Sequence, residues 1–204
     1  GLVCDVGPLN ETTTYFWRIE AIDSAGNKTD GPVWQFTTRE SDEPIKTIDV
    51  AVIIDSSGSM FDNDPANMRK AAAKVFIGAM VSGDMLTVVD FDSGARVPFP
   101  LQALMNDRSA PLAAVDTIDS SGGTNIGLGL QPGYDQLVTS PNTNPKAAIM
   151  LTDGDGNYIN QAQLYKDKGW PVFTIGLGNG VKEALLRQIA SETGGQYFHL
   201  TNPN

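Results

Sequence analysis

Apolar and polar residues alternate in the first forty residues of the chain. Between Tyr15 and Ala21, odd-numbered positions would face one side of an extended strand and even-numbered positions the other. A second short apolar segment runs from Val33 to Thr38, and turn-forming residues around Asp23 and Asn27 separate the two. This pattern predicts a half-buried β-hairpin, which is only marginally stable as an isolated two-stranded unit.

From Thr47 onward the pattern changes to strands that alternate with helices. The predicted strands cover residues 48–54, 85–91, 95–101, 147–152, 171–176 and 196–200. The predicted helices cover residues 66–81, 109–118, 125–138, 160–168 and 182–193. Met68, Ala72, Val75 and Ala79 recur at helical spacing and predict the core-facing side of the first helix. The Gly194-Gly195 pair predicts where the last helix ends.

Near-continuous apolar runs such as residues 50–54 indicate strands that are buried on both faces, as in a parallel sheet covered by helices. The strands 85–91 and 95–101 are joined too closely for a crossover, so they predict an antiparallel pair at one edge. We therefore expect an α/β fold, a doubly wound, three-layer, Rossmann-like arrangement with one antiparallel edge strand, preceded by a small all-β hairpin. The polar segment 40–46 predicts a linker between residues 1–39 and 47–204.

Composition restricts the classes of function. A formal net charge of −10 and the lack of any basic cluster argue against binding to the phosphates of a nucleic acid. The apolar runs are shorter than the roughly 20 residues of a membrane helix. Cys4 is the single cysteine, which excludes an internal disulfide and a Cys-based zinc site. Gly1 is neither an initiator Met nor the start of a signal-peptide pattern, so we expect a fragment or a processed piece.

Oxygen-bearing side chains follow the predicted strand ends. Asp55-Ser-Ser-Gly-Ser comes directly after the first buried strand, Asp153 follows the fourth, and Thr124 lies in a Gly-rich turn. In doubly wound sheets the carboxyl ends of the strands meet at one edge, at the point where strand order reverses. A set of carboxylate and hydroxyl oxygens suits Mg²⁺, which prefers hard oxygen ligands and retains some of its waters. The sequence thus predicts a metal site at this edge.

The pattern Asp55-x-Ser57-x-Ser59, then Thr124, then Asp153, resembles the complete metal-ion-dependent adhesion site of von Willebrand factor type A domains. The resemblance implies that Ser57, Ser59 and Thr124 contact the ion through hydroxyls and that Asp55 and Asp153 act largely through water. It also implies Mg²⁺, with Mn²⁺ or Ca²⁺ as alternatives, and an open position for an exposed Asp or Glu of a protein partner. Type A domains normally finish with one more helix, which we expect residues 47–204 to lack.

Leu9, Thr13 and Tyr15 resemble the tyrosine corner of fibronectin type III domains, so residues 1–39 are expected to be a C-terminal fragment of such a domain. The predicted function is a non-enzymatic, divalent-cation-dependent protein-binding or adhesion module, secreted to the cell surface or the extracellular space. Two alternatives stay open: a Mg²⁺-dependent phosphohydrolase, and a regulatory subunit of an intracellular ATPase complex. A phosphohydrolase would need a second carboxylate two positions after Asp55, where Ser57 stands.

Other candidate chemistry has a simpler interpretation. Asp153-Gly-Asp-Gly-Asn imitates the start of an EF-hand, but Tyr158 and Leu164 occupy the positions that require Gly and Glu. Asp90 and Asp92 are predicted to be solvated charges at a strand end. His199, the single histidine, is predicted to be a packed or edge residue.

Overall fold

The computed structural model of the chain describes residues 9–10, 12–22, 26–38, 46–154 and 156–201. Its contacts divide the chain into two compact units, with the division between Lys46 and Thr47. Several features of the sequence analysis lie outside the described residues, namely Cys4, the turn at 23–25, all but the last residue of the linker 40–46, and Asp155, the third residue of the segment that imitates an EF-hand.

The described residues of the first unit form four short strands. They are Thr14–Trp17 (β1), Glu20–Ile22 (β2), Lys28–Asp30 (β3) and Trp34–Thr37 (β4). β1 pairs antiparallel with β4, and β2 pairs antiparallel with β3. Cross-strand aromatic rings stack, with Trp17 and Trp34 at a centroid distance of 4.6 Å. A small antiparallel β element was predicted here, and it is present.

The prediction that this hairpin is half-buried is wrong. Its large apolar side chains are mostly exposed, including Phe16 at 67% and Val33 at 63%. The physical reason is that each described sheet of this unit has two strands, and two strands do not provide a second layer to cover either face.

The second unit is built on a six-stranded sheet. Its strands are Asp49–Asp55 (β5), Met85–Phe91 (β6), Ala95–Ala103 (β7), Lys146–Thr152 (β8), Val172–Leu177 (β9) and Tyr197–Leu200 (β10). The spatial order is β10-β9-β8-β5-β6-β7, and every pairing is parallel except that of β6 with β7. The predicted α/β class, with a mostly parallel sheet and one antiparallel edge strand, is confirmed. All six strand bounds agree with the predicted ones to within two residues.

The order of strands determines where residues from distant parts of the chain can meet. From β5 the chain passes to β6 and β7 on one side, and then returns to β8 on the other side of β5. The boundary between β5 and β8 is therefore the point where strand order reverses, which is where ligands bind in open α/β sheets. Ile54 lies opposite Leu151 in this pair, so both strands end at the same edge.

Six helices cover the sheet in the described part of the unit. They are Met60–Asn63 (α1), Met68–Ala79 (α2), Ser109–Asp116 (α3), Ile126–Val138 (α4), Ala162–Lys168 (α5) and Glu183–Thr193 (α6). Five of these were predicted, and the single turn α1 was not. The last helix ends at Gly194, whose φ of 79° requires the left-handed region that favours glycine. None of the described helices has the length and apolar character needed to cross a bilayer.

The predicted core face of α2 is wrong by about one position. Val75, expected inside, is 74% exposed, whereas Arg69, Ala73 and Ile77 are buried. Arg69 occupies the core side because its guanidinium pairs with the buried carboxylate of Asp64, with Nη1 2.8 Å from Oδ2. A charged residue on the buried face shifts the apparent hydrophobic stripe.

Two apolar layers sandwich the sheet. Val50, Val52 and Ile54 of β5 pack in one layer with side chains of α2 and α3. Ala51 and Ile53 point to the opposite layer, which includes side chains of α4, α5 and α6. Because β5 is buried on both faces, the polar residues that follow it are held by a rigid support.

Candidate metal centre

The loop after β5 begins with a buried carboxylate. Asp55, the last residue of β5, is fully buried, and Ser57, two positions later, is 1% exposed. The backbone N–H of Ser57 donates to Asp55 Oδ1 at 2.8 Å. The hydroxyl oxygens of Ser57 and Ser59 lie 3.2 Å apart. Three of the five predicted ligands therefore form one compact cluster at the end of the central strand.

The second oxygen of Asp55 is held by β8. The hydroxyl of Thr152 donates to Asp55 Oδ2 at 2.5 Å, and the N–H of Gly154 donates to that hydroxyl at 2.9 Å. Thr152 was not identified from the sequence. The available signal was a polar residue at the buried end of an otherwise apolar strand, directly before the predicted ligand Asp153.

Burial raises the pKa of Asp55 to about 6. Hydrogen bonds from Ser57 and Thr152 act in the opposite direction, and the nearby charge of Asp153 raises the pKa further. No described Lys, Arg or His forms an ion pair with Asp55. This carboxylate is thus a buried anion whose charge the polypeptide only partly stabilises.

Asp153 stands beside this cluster because β8 is the neighbour of β5. Its carboxylate accepts a hydrogen bond from Asn63 Nδ2 at 2.9 Å. Asn63 is the last residue of α1, the turn that follows Ser59, so it links the two ligand loops. The sequence analysis missed Asn63, since nothing in the local sequence indicates a partner 90 positions away.

Thr124 reaches the same edge on a separate loop. The N–H of Gly58 donates to the carbonyl of Gly122 at 3.0 Å, which fastens the two loops together. Gly122 has φ +79°, and a Cβ there would lie 2.5 Å from Asp92 Oδ2, so only glycine fits. After Thr124, Asn125 caps α4 by accepting from the N–H of Leu128 at 3.1 Å.

The structure places all five predicted ligands at the carboxyl edge of the sheet. Asp55, Ser57, Ser59 and Asp153 come from the loops that end β5 and β8, and Thr124 from the loop bonded to them. The described residues contain no group of three or more His, Cys, Asp or Glu side chains that could hold a metal. The predicted ligand set contains two carboxylates and three hydroxyls, so it is not a group of that kind.

The structure also gives the burial and the contacts of other side chains that the sequence analysis considered or that lie near the candidate centre. Asp90 is not solvated as expected: it is 4% exposed, and Arg96 from the edge strand pairs with its Oδ2 at 2.6 Å. His199 lies on β10, where its Nε2 is 2.7 Å from the carbonyl oxygen of Gly178. Met60 is buried, whereas Phe61 beside the candidate centre is 72% exposed.

Comparisons with known proteins agree with this architecture. A family model described as the von Willebrand factor type A domain matches residues 49–204. Calcium-activated chloride channel regulator 1 of Mus musculus is 32% identical over 150 residues, which cover 72% of this chain and 16% of that protein. The chain therefore spans a small part of this curated relative.

Two solved structures are similar in fold and sequence. One is a von Willebrand factor type A protein from Catenulispora acidiphila, with 27% identity and a TM-score of 0.65, covering 84% of this chain and 41% of the other. The second is proximal thread matrix protein 1 from the mussel byssus, described with a zinc-occupied adhesion-site motif. It has 25% identity and a TM-score of 0.64 and covers 75% of this chain and 41% of that one.

Proposed function

Since the chain belongs to the von Willebrand factor type A domain family, we propose that residues 47–204 form a protein-binding module that depends on a divalent cation. The proposed ion is Mg²⁺, with Mn²⁺ or Ca²⁺ as alternatives. Its proposed ligands are the members of a complete adhesion-site motif, Asp55, Ser57, Ser59, Thr124 and Asp153. Through the ion, the module binds an exposed Asp or Glu side chain of a protein partner.

One observation carries this proposal. The hydroxyls of Ser57 and Ser59, 3.2 Å apart, adjoin a buried carboxylate that has no described counter-ion. A buried charge without a counter-ion is costly, and a bound cation would compensate it. The donors are all oxygen, which fits Mg²⁺, Mn²⁺ and Ca²⁺ better than soft metals. The zinc in the mussel relative's adhesion-site motif makes Zn²⁺ a further ion to test.

The chain's own residues have separate roles in this proposal. Thr152 orients the carboxylate of Asp55 through one oxygen, and Asn63 orients that of Asp153. Ser57, Ser59 and Thr124 offer neutral oxygens, so little of a dication's charge would be neutralised by direct ligands. When bound, the cation supplies a positive centre that attracts a carboxylate from outside.

We infer a non-enzymatic role from the residue at the second motif position. Phosphohydrolases that begin with an Asp on the first strand need a carboxylate two positions later for proton transfer, and Ser57 stands there. Incubation with Mg²⁺ and a generic phosphate ester tests this inference. Sustained turnover that disappears in the Asp55→Asn variant would favour the phosphohydrolase alternative.

We also propose that residues 1–39 derive from a fibronectin type III-like domain and that the protein works outside the cell or on its surface. The hydroxyl of Tyr15 accepts from the N–H of Asn10, five residues upstream, at 2.8 Å, as in a tyrosine corner. The mussel relative, named as a thread matrix protein of the byssus, supports the extracellular location. A secretion signal in the full-length gene would argue against the ATPase-subunit alternative.

Calorimetric titration with Mg²⁺ tests the metal site directly. We expect Ser57→Ala to weaken Mg²⁺ binding at least about tenfold, because one of few direct ligands is lost. The neighbouring Ser56→Ala is the matched control, since the Ser56 hydroxyl donates to the carbonyl of Phe91 at 3.1 Å. Equal heats in the wild type and Asp55→Ala would overturn the assignment.

Partner recognition needs a second measurement with a defined probe. A capped Gly-Asp-Gly peptide is titrated into the protein and followed by amide chemical shifts, with Mg²⁺ or with chelator. We expect shifts around residues 57–59 only when Mg²⁺ is present and only with Asp in the peptide. The same shifts with a Gly-Asn-Gly peptide would contradict carboxylate recognition.

A further inference from the structure

A cavity of about 260 Å³ opens beside the candidate metal centre. Its polar lining comes from the ends of β6 and β7 and from the loops beside them, and consists of Ser56, Asp90, Asp92, Arg96, Asp119 and Ser121. None of these residues belongs to the proposed ligand set. The cavity therefore needs its own explanation.

The charges that line the cavity do not balance. Arg96 pairs with Asp90, and its guanidinium also donates to the carbonyl of Thr117 at 2.8 Å. Asp92 and Asp119 have no ion-pair partner among the described residues. Their described hydrogen bonds come from neutral donors, the N–H of Gly94 and the hydroxyl of Ser121. Two negative charges are left uncompensated.

Asp90 supplies an independent sign of a missing donor. Its side chain is 4% exposed, and while Oδ2 pairs with Arg96, the buried Oδ1 accepts no hydrogen bond from any described residue. Buried polar atoms are nearly always paired, because an unsatisfied one costs free energy. Asp90 thus contributes an acceptor with unused capacity to the lining of this acidic cavity.

An organic cation fits the chemistry of this cavity. A guanidinium or ammonium group spreads several N–H donors over acceptors that are some distance apart. The side chains of Arg and Lys have this chemistry.

The cavity and the candidate metal centre share a wall. Ser56 stands between Asp55 and Ser57, and its carbonyl accepts from the N–H of Ser121 at 2.7 Å. A partner segment that reaches the metal would thus also pass the cavity. Repulsion from Asp92 and Asp119 would weaken the binding of its carboxylate unless a basic residue accompanied it.

We propose that this cavity binds an Arg or Lys side chain of the same protein partner whose acidic residue binds the metal. The proposal rests on the proposed function for its second half, the acidic residue at the metal. The paired requirement gives specificity, because partners with an isolated acid meet uncompensated repulsion. The recognised feature is an acidic and a basic side chain close together on the partner surface.

The first experiment tests the cavity alone, with agmatine as a guanidinium probe and chelator in the buffer. Agmatine is titrated while amide chemical shifts are recorded, and we expect shifts at Ser56 and Ser121. In the double variant Asp92→Asn/Asp119→Asn, where each amide oxygen can still accept the existing hydrogen bond, affinity should fall at least fivefold. Asp119→Asn alone serves if the double variant does not fold.

The matched control is Asp135→Asn/Asp167→Asn, which removes the same charge from exposed helix positions. Both aspartates accept from a glutamine four residues earlier. Affinity for agmatine should be unchanged there. An equal loss in both double variants would show general attraction to an acidic protein and would overturn the proposal, as would shifts that avoid the cavity.

The second experiment joins the two sites. With Mg²⁺ present, a capped peptide containing Asp and Arg should bind at least fivefold more tightly than the same peptide with Gln in place of Arg. The difference should vanish in Asp92→Asn/Asp119→Asn, and its persistence there would overturn the proposal. If the wild type does not bind Mg²⁺, the proposed function fails, and the agmatine titration alone decides whether the cavity binds a cation.

Discussion

The buried carboxylate of Asp55 lowers the stability of the metal-free protein and, by the same charge, would favour the binding of a cation. It is buried at the end of the central strand, where its hydrogen bonds with Ser57 and Thr152 only partly offset the cost of desolvation. A raised pKa means that the folded protein without metal is destabilised by ionising this group, by about 3 kcal/mol at neutral pH for a shift of this size. The cost is acceptable if a cation later occupies the site.

We expect Asp55→Asn to separate the two properties. Asn is nearly isosteric and uncharged, so the free energy of unfolding in chelator at pH 7 should stay level or rise by about 1–2 kcal/mol. Mg²⁺ binding should be lost. Urea unfolding and calorimetry measure the two effects, and strong destabilisation of the metal-free variant would contradict the interpretation of Asp55 as a costly buried anion.

The same residue predicts a pH dependence. Because the pKa is raised in the folded state, this state binds more protons than the unfolded chain between pH 3.8 and about 6. The resulting stability is present at low pH and is lost as pH rises through about 6. In chelator, wild type should gain stability relative to Asp55→Asn between pH 7 and pH 5. Mg²⁺ affinity should fall over the same interval, since the ion binds the deprotonated carboxylate.

A parallel pH dependence of stability in the wild type and in Asp55→Asn would show that another group is responsible.

At this scale the sequence was informative about where the proposed ligands lie in the fold, because each follows a strand end or lies in a Gly-rich turn. It was not informative about Thr152 and Asn63, whose partners are 97 and 90 positions away. Asp90 was misjudged because strand spacing does not reveal that Arg96 crosses to it from β7.

At the scale of elements, α4 shows how a helix is fitted to the sheet behind the candidate site. Gly129 faces β6 so closely that a Cβ would lie 2.6 Å from Phe91 Cδ1 and 3.1 Å from Ile53 Cγ2. Gly78 in α2 has nothing within 4 Å of the same virtual atom. Both are helical glycines, so the sequence alone would assign both positions the same low helix propensity.

We therefore expect opposite outcomes from one substitution. Gly129→Ala should lower the free energy of unfolding by about 1–3 kcal/mol, because overpacking outweighs the helix propensity of Ala. Gly78→Ala should raise it by up to about 1 kcal/mol, since only propensity changes. Urea denaturation in chelator measures both. Stabilisation by both variants would mean that α4 can move away from the sheet at little cost.

Periodicity predicted the existence of elements well and their orientation less well. The strands of the sheet were predictable because apolar runs of this length between turn residues have few alternatives. The buried face of α2 was not, since Arg69 enters the core through its ion pair with Asp64. The turn α1 was missed because four residues carry too little periodic signal for a helix assignment.

At the scale of the whole molecule, the two units differ in how they are stabilised. Both buried clusters among the described residues consist of residues from Ile48 onward, so the second unit has a core of its own. The described part of the first unit consists of two-stranded sheets whose aromatic side chains are largely exposed. Its described residues contribute to neither buried cluster.

Deletion of residues 1–46 should therefore leave the second unit intact. We expect the Tm of residues 47–204 to lie within about 2 °C of that of the full chain, equivalent to less than about 1 kcal/mol for a domain of this size. Mg²⁺ affinity should be the same within about twofold, since every proposed ligand and every side chain that orients one lies beyond residue 47. Calorimetric melting and Mg²⁺ titration on both chains measure these quantities. A much lower Tm with normal Mg²⁺ binding would show that the first unit stabilises the second, whereas loss of Mg²⁺ binding at unchanged Tm would place part of the metal site in residues 1–46.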